Sequence, residues 1–207
     1  MSPSILLPYI YGLDLSKNEF GNDQQFPISL QEMCNLRWLE LNRTNVNRLP
    51  EFIGTLKSLE KLSLSHNNLR DVPFCLNNLT SLRSLSLRDN HVSHTQISAR
   101  LFNNPDLSIL DLSHNNLQAF PKDIENAKGL IVLNLSSNQI EQIPSHVFVS
   151  LFELVHLNLS DNKIDTLPAQ MRRLTSLQVL ILNNNPLIHA QLRNQQHVDL
   201  LEFPSGR

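Results

Sequence analysis

Leucine and asparagine return along this chain at a fixed spacing. Residues 107 to 117 read LSILDLSHNNL, with leucine at 107, 110, 112 and 117 and asparagine at 115. The asparagine slot recurs as Asn18, Thr44, Asn67, Asn90, Asn115, Asn138, Asn162 and Asn185, in steps of 26, 23, 23, 25, 23, 24 and 23 residues. Eight units that stay in register are not a chance pattern. Each is one supersecondary piece that hides its apolar face by stacking on the next. Such an array is a single elongated body, without the central core that would make a chain of 207 residues one or two globular domains.

Each unit carries two hydrophobic periods. In its first half, L-x-L puts alternate side chains on opposite faces of a strand, so Leu62 and Leu64, Leu110 and Leu112, and Leu157 and Leu159 point inward. Leu133 is placed inward by the same rule. The spacing predicts strands near 10–16, 36–42, 59–65, 82–88, 107–113, 130–136, 154–160 and 177–183. Two outward columns result. The first holds Gly12, Trp38, Lys61, Ser84, Ile109, Val132, His156 and Val179; the second holds Asp14, Glu40, Ser63, Ser86, Asp111, Asn134, Asn158 and Ile181. The asparagine ends the strand, where its amide can bond backbone groups of the turn and of the neighbouring unit. Thr44 interrupts that ladder once, because a hydroxyl offers fewer bonds than an amide. In the second half, Leu49, Pro50, Ile53, Leu56 and Leu59, or Leu167, Pro168, Met171, Leu174 and Leu177, space apolar residues by three or four behind a proline. That pattern predicts a helical or 3₁₀ turn with one buried face.

The template L-x-x-L-x-L-x-x-N-x-L is that of the leucine-rich repeat. The expected fold class is therefore α/β: a leucine-rich repeat solenoid, curved as a horseshoe, with a parallel sheet on the concave face and short helices or 3₁₀ turns on the convex face. Residues 1–193 are assigned to this array of about eight repeats and 194–207 to a divergent tail. Repeat 4 lacks the Leu-Pro and is longer over residues 92–107, which predicts a bulge on the convex side or rim; GNDQQFP lengthens the loop of repeat 1. The last residues make a poor polar cap, so the chain reads as a truncated or alternatively ended product of a longer array.

Charge and cysteine content narrow the partners. Seventeen basic against 19 acidic residues give a net charge of -2, which offers no electrostatic reason for nucleic acid or an anionic membrane as partner. Cys34 and Cys75 occupy different slots in their repeats and lack the clustering of disulfide-rich caps, which points to a reducing compartment and free thiols. The opening MSPSILLPYIYG has no basic leader and a short apolar stretch, unlike a signal peptide, and no apolar run approaches a membrane span. A monomer without cofactor or metal is expected. The sequons at Asn42, Asn78, Asn134 and Asn158 carry no weight, since three of them arise from the repeat itself.

Catalysis finds little support. Asp14, Glu40 and Asp111 sit on the concave wall without an acid–base partner, and His91-x-x-His94 falls in the irregular loop without a third ligand. Ser65-His66-Asn67 and Ser113-His114-Asn115 resemble pieces of a triad, yet they are the same template slots two repeats apart. With five glycines in all, there is no phosphate loop. A non-enzymatic binding role follows, carried by the concave face: Trp38, Glu40, Asn42, Arg43, Lys61, Ser63, Ile109, Asp111, Val132, Asn134, His156, Asn158, Val179 and Ile181. Trp38 beside Glu40, Asn42 and Arg43 has the composition of an interaction hot spot, unless its ring folds down to cap the first repeat.

The segments RWLELNRT (37–44), ENAKGLIVLNLS (125–136) and QMRRLTSLQVLILNNNPLIHAQLR (170–193) go beyond the generic template. With LSILDLSHNNL they resemble the flightless family of the gelsolin/villin superfamily, whose members join N-terminal leucine-rich repeats to gelsolin-like domains; the 23-residue period with Leu-Pro also resembles the Ras-group repeat proteins. The resemblance covers about Leu7 to Arg193. It implies a protein-binding arm of a cytoskeletal regulator that links actin remodelling to signalling by Ras-type small GTPases. Implied partners are such GTPases and coiled-coil proteins that engage the repeats, with actin contacted mainly by gelsolin-like domains that this sequence does not contain. The implied location is the cytoplasm and cytoskeleton, and also the nucleus. A free Ras-suppressor-like adaptor, or a fragment without independent activity, is the alternative reading.

Overall fold

The computed structural model describes residues 7–21, 26–93 and 99–187. Eight three-residue strands carry the fold: β1 (Gly12–Asp14), β2 (Trp38–Glu40), β3 (Lys61–Ser63), β4 (Ser84–Ser86), β5 (Ile109–Asp111), β6 (Val132–Asn134), β7 (His156–Asn158) and β8 (Val179–Ile181). They form one sheet in the order β1 to β8, every neighbouring pair parallel. Register pairs equivalent slots, so Leu13, Leu39, Leu62, Leu85, Leu110, Leu133, Leu157 and Leu180 stand side by side. The central six of these are sealed from solvent, whereas Leu13 and Leu180 at the ends are half-buried. Fully burying one leucine contributes about 1.5–3 kcal/mol, and here that gain is repeated at every layer.

On the return path the proline predicts the element correctly. Pro27, Pro50, Pro73 and Pro168 each precede a five-residue 3₁₀ turn, at Ile28–Glu32, Glu51–Thr55, Phe74–Asn78 and Ala169–Arg173. Repeat 4, without Leu-Pro, has instead a short α-helix, α1 (Ala99–Phe102), whose Leu101 and Phe102 are buried. Of the segment 92–107, where a bulge is expected, residues 94–98 lie outside the described residues, as do 22–25 of the long first loop and 188–207, which include the divergent tail. Phe26 leaves that first loop and stacks on Phe20, ring centroids 4.7 Å apart.

From Asn67 to Asn185 the asparagine ladder is a continuous set of side-chain bonds between repeats. Asn138 donates through Nδ2 to Leu112 O at 3.0 Å in the preceding repeat and to Leu135 O at 3.0 Å in its own, while Oδ1 accepts Leu117 N at 2.9 Å. Asn67, Asn90, Asn115, Asn162 and Asn185 repeat the arrangement. Thr44 does break it. Its hydroxyl donates to Leu41 O within its own repeat, and it meets Asn67 Oδ1 at 3.0 Å.

Candidate binding face

The concave wall is built by the two outward columns, which the strand register aligns into rows. Trp38 is 42% exposed, and it also leans sideways over β1: a Cβ on Gly12 would stand 1.9 Å from the indole Cε2. The ring thus combines both expected positions, half open to solvent and half laid across the first strand. Only glycine leaves room beneath it. Beside it Tyr11 faces the Arg37 guanidinium at 5.9 Å, and Arg37 pairs with Glu60 at 3.5 Å.

Polar members of the face are largely engaged with one another. Glu40 takes Lys61 Nζ at 3.1 Å and Asn42 Nδ2 at 3.3 Å. Asn42 Oδ1 accepts Ser63 Oγ at 2.6 Å and Ser65 N at 2.9 Å, and Ser63 is buried. Asn42 and Ser63 therefore build the wall, while Trp38, Arg43 and Lys61 stay exposed on it. In the second column a role invisible to pattern reading emerges. Asp14, Asp111, Asn134 and Asn158 each accept the backbone N–H of the serine two residues on, at 2.8 to 3.1 Å. The D/N-x-S spacing was the available signal. In Asp14 the side-chain and backbone bonds from Ser16 hold the carboxyl below its ordinary pKa.

Register does not bring the three acids of the wall together. Asp14 and Glu40 are register neighbours, whereas Asp111 stands three strands beyond Glu40. Asn67 and Asn115 of the two triad-like tripeptides are spent on the ladder, Ser113 Oγ accepts from Arg88 at 3.1 Å, and His66 Nδ1 contacts Asp89. His91 is exposed and His94 lies outside the described residues. Among the described residues no cluster of three metal-ligating side chains occurs, and no helix is long and apolar enough to cross a membrane. Both cysteines are free, and burial pushes the Cys75 thiol up to about 11. Sequence reasoning also missed an open cleft of about 1200 Å³ lined by Arg48, Asn68, Arg70, Phe74 and His91.

From β5 onward the face changes character. Ile109 and Ile131 are each 41% exposed, and Val132, Val155, Val179 and Ile181 are half-buried around His156. Register sets Ile109, Val132, His156 and Val179 in one row.

A leucine-rich repeat profile matches residues 34–92 and 128–187, and a second one matches 106–127. The chain belongs to the leucine-rich repeat family. Within this family it is similar to flightless-1 homologues: 47% identical to that of Mus musculus and 48% to that of Homo sapiens, each over 93% of this chain and 15% of the relative. The leucine-rich repeat chain thus spans about 15% of the length of the curated relatives it matches. Among solved structures it superposes on an internalin of Listeria monocytogenes with TM-score 0.64 and 25% identity, covering 91% of this chain and 59% of that one. It also superposes on the toll-like receptor of the TLR13–ssRNA13 complex with TM-score 0.70 and 26% identity, covering 84% and 25%.

Proposed function

We propose that this leucine-rich repeat chain is a non-catalytic protein-binding arm of a flightless-type cytoskeletal regulator, coupling actin remodelling to Ras-type small GTPase signalling through its concave face. The observation that carries the reading is the face itself: an exposed tryptophan, with arginine and lysine around it, on a parallel sheet whose rows are fixed by register. Similarity to flightless-1 homologues supports the choice of regulator. The same reading makes coiled-coil proteins the second partner class, leaves actin to other domains, and places the protein in the cytoplasm, at the cytoskeleton and in the nucleus.

Titration of the purified chain with a Ras-type GTPase in its GTP form, followed by calorimetry, tests this. Trp38→Ala is expected to weaken binding by about 2 kcal/mol or more while thermal stability stays near wild type. Binding that is absent in the wild type, or untouched by Trp38→Ala and Arg43→Ala together, would remove the concave face from the proposal.

A further inference from the structure

We propose that the half of the concave face formed by β5 to β8 receives an uncharged, apolar segment of a protein partner, and that His156 at its middle makes this contact sensitive to protonation. The inference rests on the binding role proposed above and specifies where on the wall, and with what chemistry, one contact is made.

Its ground is the charge map. Residues on and beside β2 to β4 include Arg37, Glu40, Glu60, Lys61, Arg83 and Arg88. On β6 to β8 and the residue ahead of each strand stand Ile131, Val132 and Asn134, then Val155, His156 and Asn158, then Gln178, Val179 and Ile181. No formal charge occurs on β6 to β8 apart from a protonated imidazole; β5 adds Ile109 and one acid, Asp111, whose Oδ1 already accepts Ser113 N–H at 2.9 Å. A charged partner group laid over β6 to β8 would lose its water and gain no counter-ion, whereas apolar side chains would cover half-exposed isoleucine and valine. Charge complementarity therefore selects an uncharged segment. Two strand intervals of about 4.8 Å give β6 to β8 an uncharged floor about 10 Å wide, enough for about three extended residues, and Ile109 extends its apolar row by one more strand.

His156 lies between Val132 and Val179 in the register. The adjacent strands β6 and β8 present no ionisable side chain to it. Asp111 is two strands away on β5, and Glu153 and Asp161 belong to the turns before and after β7. Asp161 accepts Asn184 Nδ2 at 2.7 Å. An apolar segment seated here removes water from the imidazole without bringing a carboxylate, so it binds best when the ring is neutral. By linkage, affinity falls as pH falls.

The test selects binders from a random peptide library displayed on phage, using the full chain at about pH 7.5, and measures recovered peptides by fluorescence polarisation. The expected binders have an uncharged apolar core. Ile109→Asp and Val179→Asp each weaken them roughly tenfold or more, and Val149→Asp on the convex side does not. Circular dichroism reports whether each face variant is folded; Ile109→Asp, at the more exposed position, remains informative if Val179→Asp does not fold. Lowering the pH to about 5.5 weakens binding to the wild type and leaves His156→Gln unchanged. Peptides lost with Trp38→Ala but kept with Ile109→Asp and Val179→Asp would overturn the inference while leaving a binding concave face. Peptides indifferent to all three would sink both readings. Binding to wild type that does not change with pH would overturn the role of His156.

Discussion

At the scale of single residues, Trp38 and Gly12 behave as one feature. The indole covers the first strand because Gly12 has no side chain to hold it off. A methyl group there would meet the ring, the mobile end of a side chain, so the ring is displaced and the backbone need not shift. Since Trp38 is the sole tryptophan, its fluorescence isolates the event. In Gly12→Ala the emission should move to the red while stability stays within about 1 kcal/mol of wild type; an unchanged spectrum would contradict the contact. The tryptophan was legible in the sequence as an anchor or a cap, and its actual pose was not, because that depends on a neighbour 26 residues away. Asn42 and Ser63 illustrate the same limit. Their column positions follow from periodicity, but whether a polar group faces a partner or its neighbours depends on bonds between repeats, which a one-dimensional pattern does not encode.

At the scale of elements, the turn after each strand contains a feature that hydrophobic periodicity cannot reveal. The residue before each ladder position adopts positive φ without being glycine: Lys17, Arg43, His66, Asp89, His114, Ser137, Asp161 and Asn184. This left-handed geometry costs most side chains about 1–2 kcal/mol, and β-branched ones suffer most. The set is polar and unbranched, which was a faint signal. His114 is exposed and its backbone N–H donates to Ser136 O at 2.9 Å, so changing its side chain tests conformation with little loss of packing. His114→Val should be about 1–2 kcal/mol less stable than His114→Gly in urea denaturation; equal stabilities would argue against the turn geometry. The proline-led 3₁₀ turns, by contrast, were readable, since proline fixes φ at their entry and apolar spacing sets the face they bury.

At the scale of the whole molecule, stability is a sum over layers and their junctions. Leu133 lies between covered layers, whereas Leu180 in the last described layer is only half-buried. Leu133→Ala should cost about 2–5 kcal/mol and Leu180→Ala about 1–2 kcal/mol, measured by chemical denaturation. Equal penalties would mean that the array does not weaken toward its ends. The architecture was legible because one template repeats eight times; the division of its concave face into a charged half and an aliphatic half belongs to no template slot, and appears only when register sets the strands side by side. The asparagine ladder has a direction as well as a period. From Asn67 to Asn185 each amide donates to a carbonyl of the preceding repeat and accepts an N–H from it. These side chains reach only toward the N-terminus. A chain emerging from the ribosome therefore brings, with every new repeat, the group that closes the unit already made, and the array can be locked in the order of its synthesis without waiting for its far end.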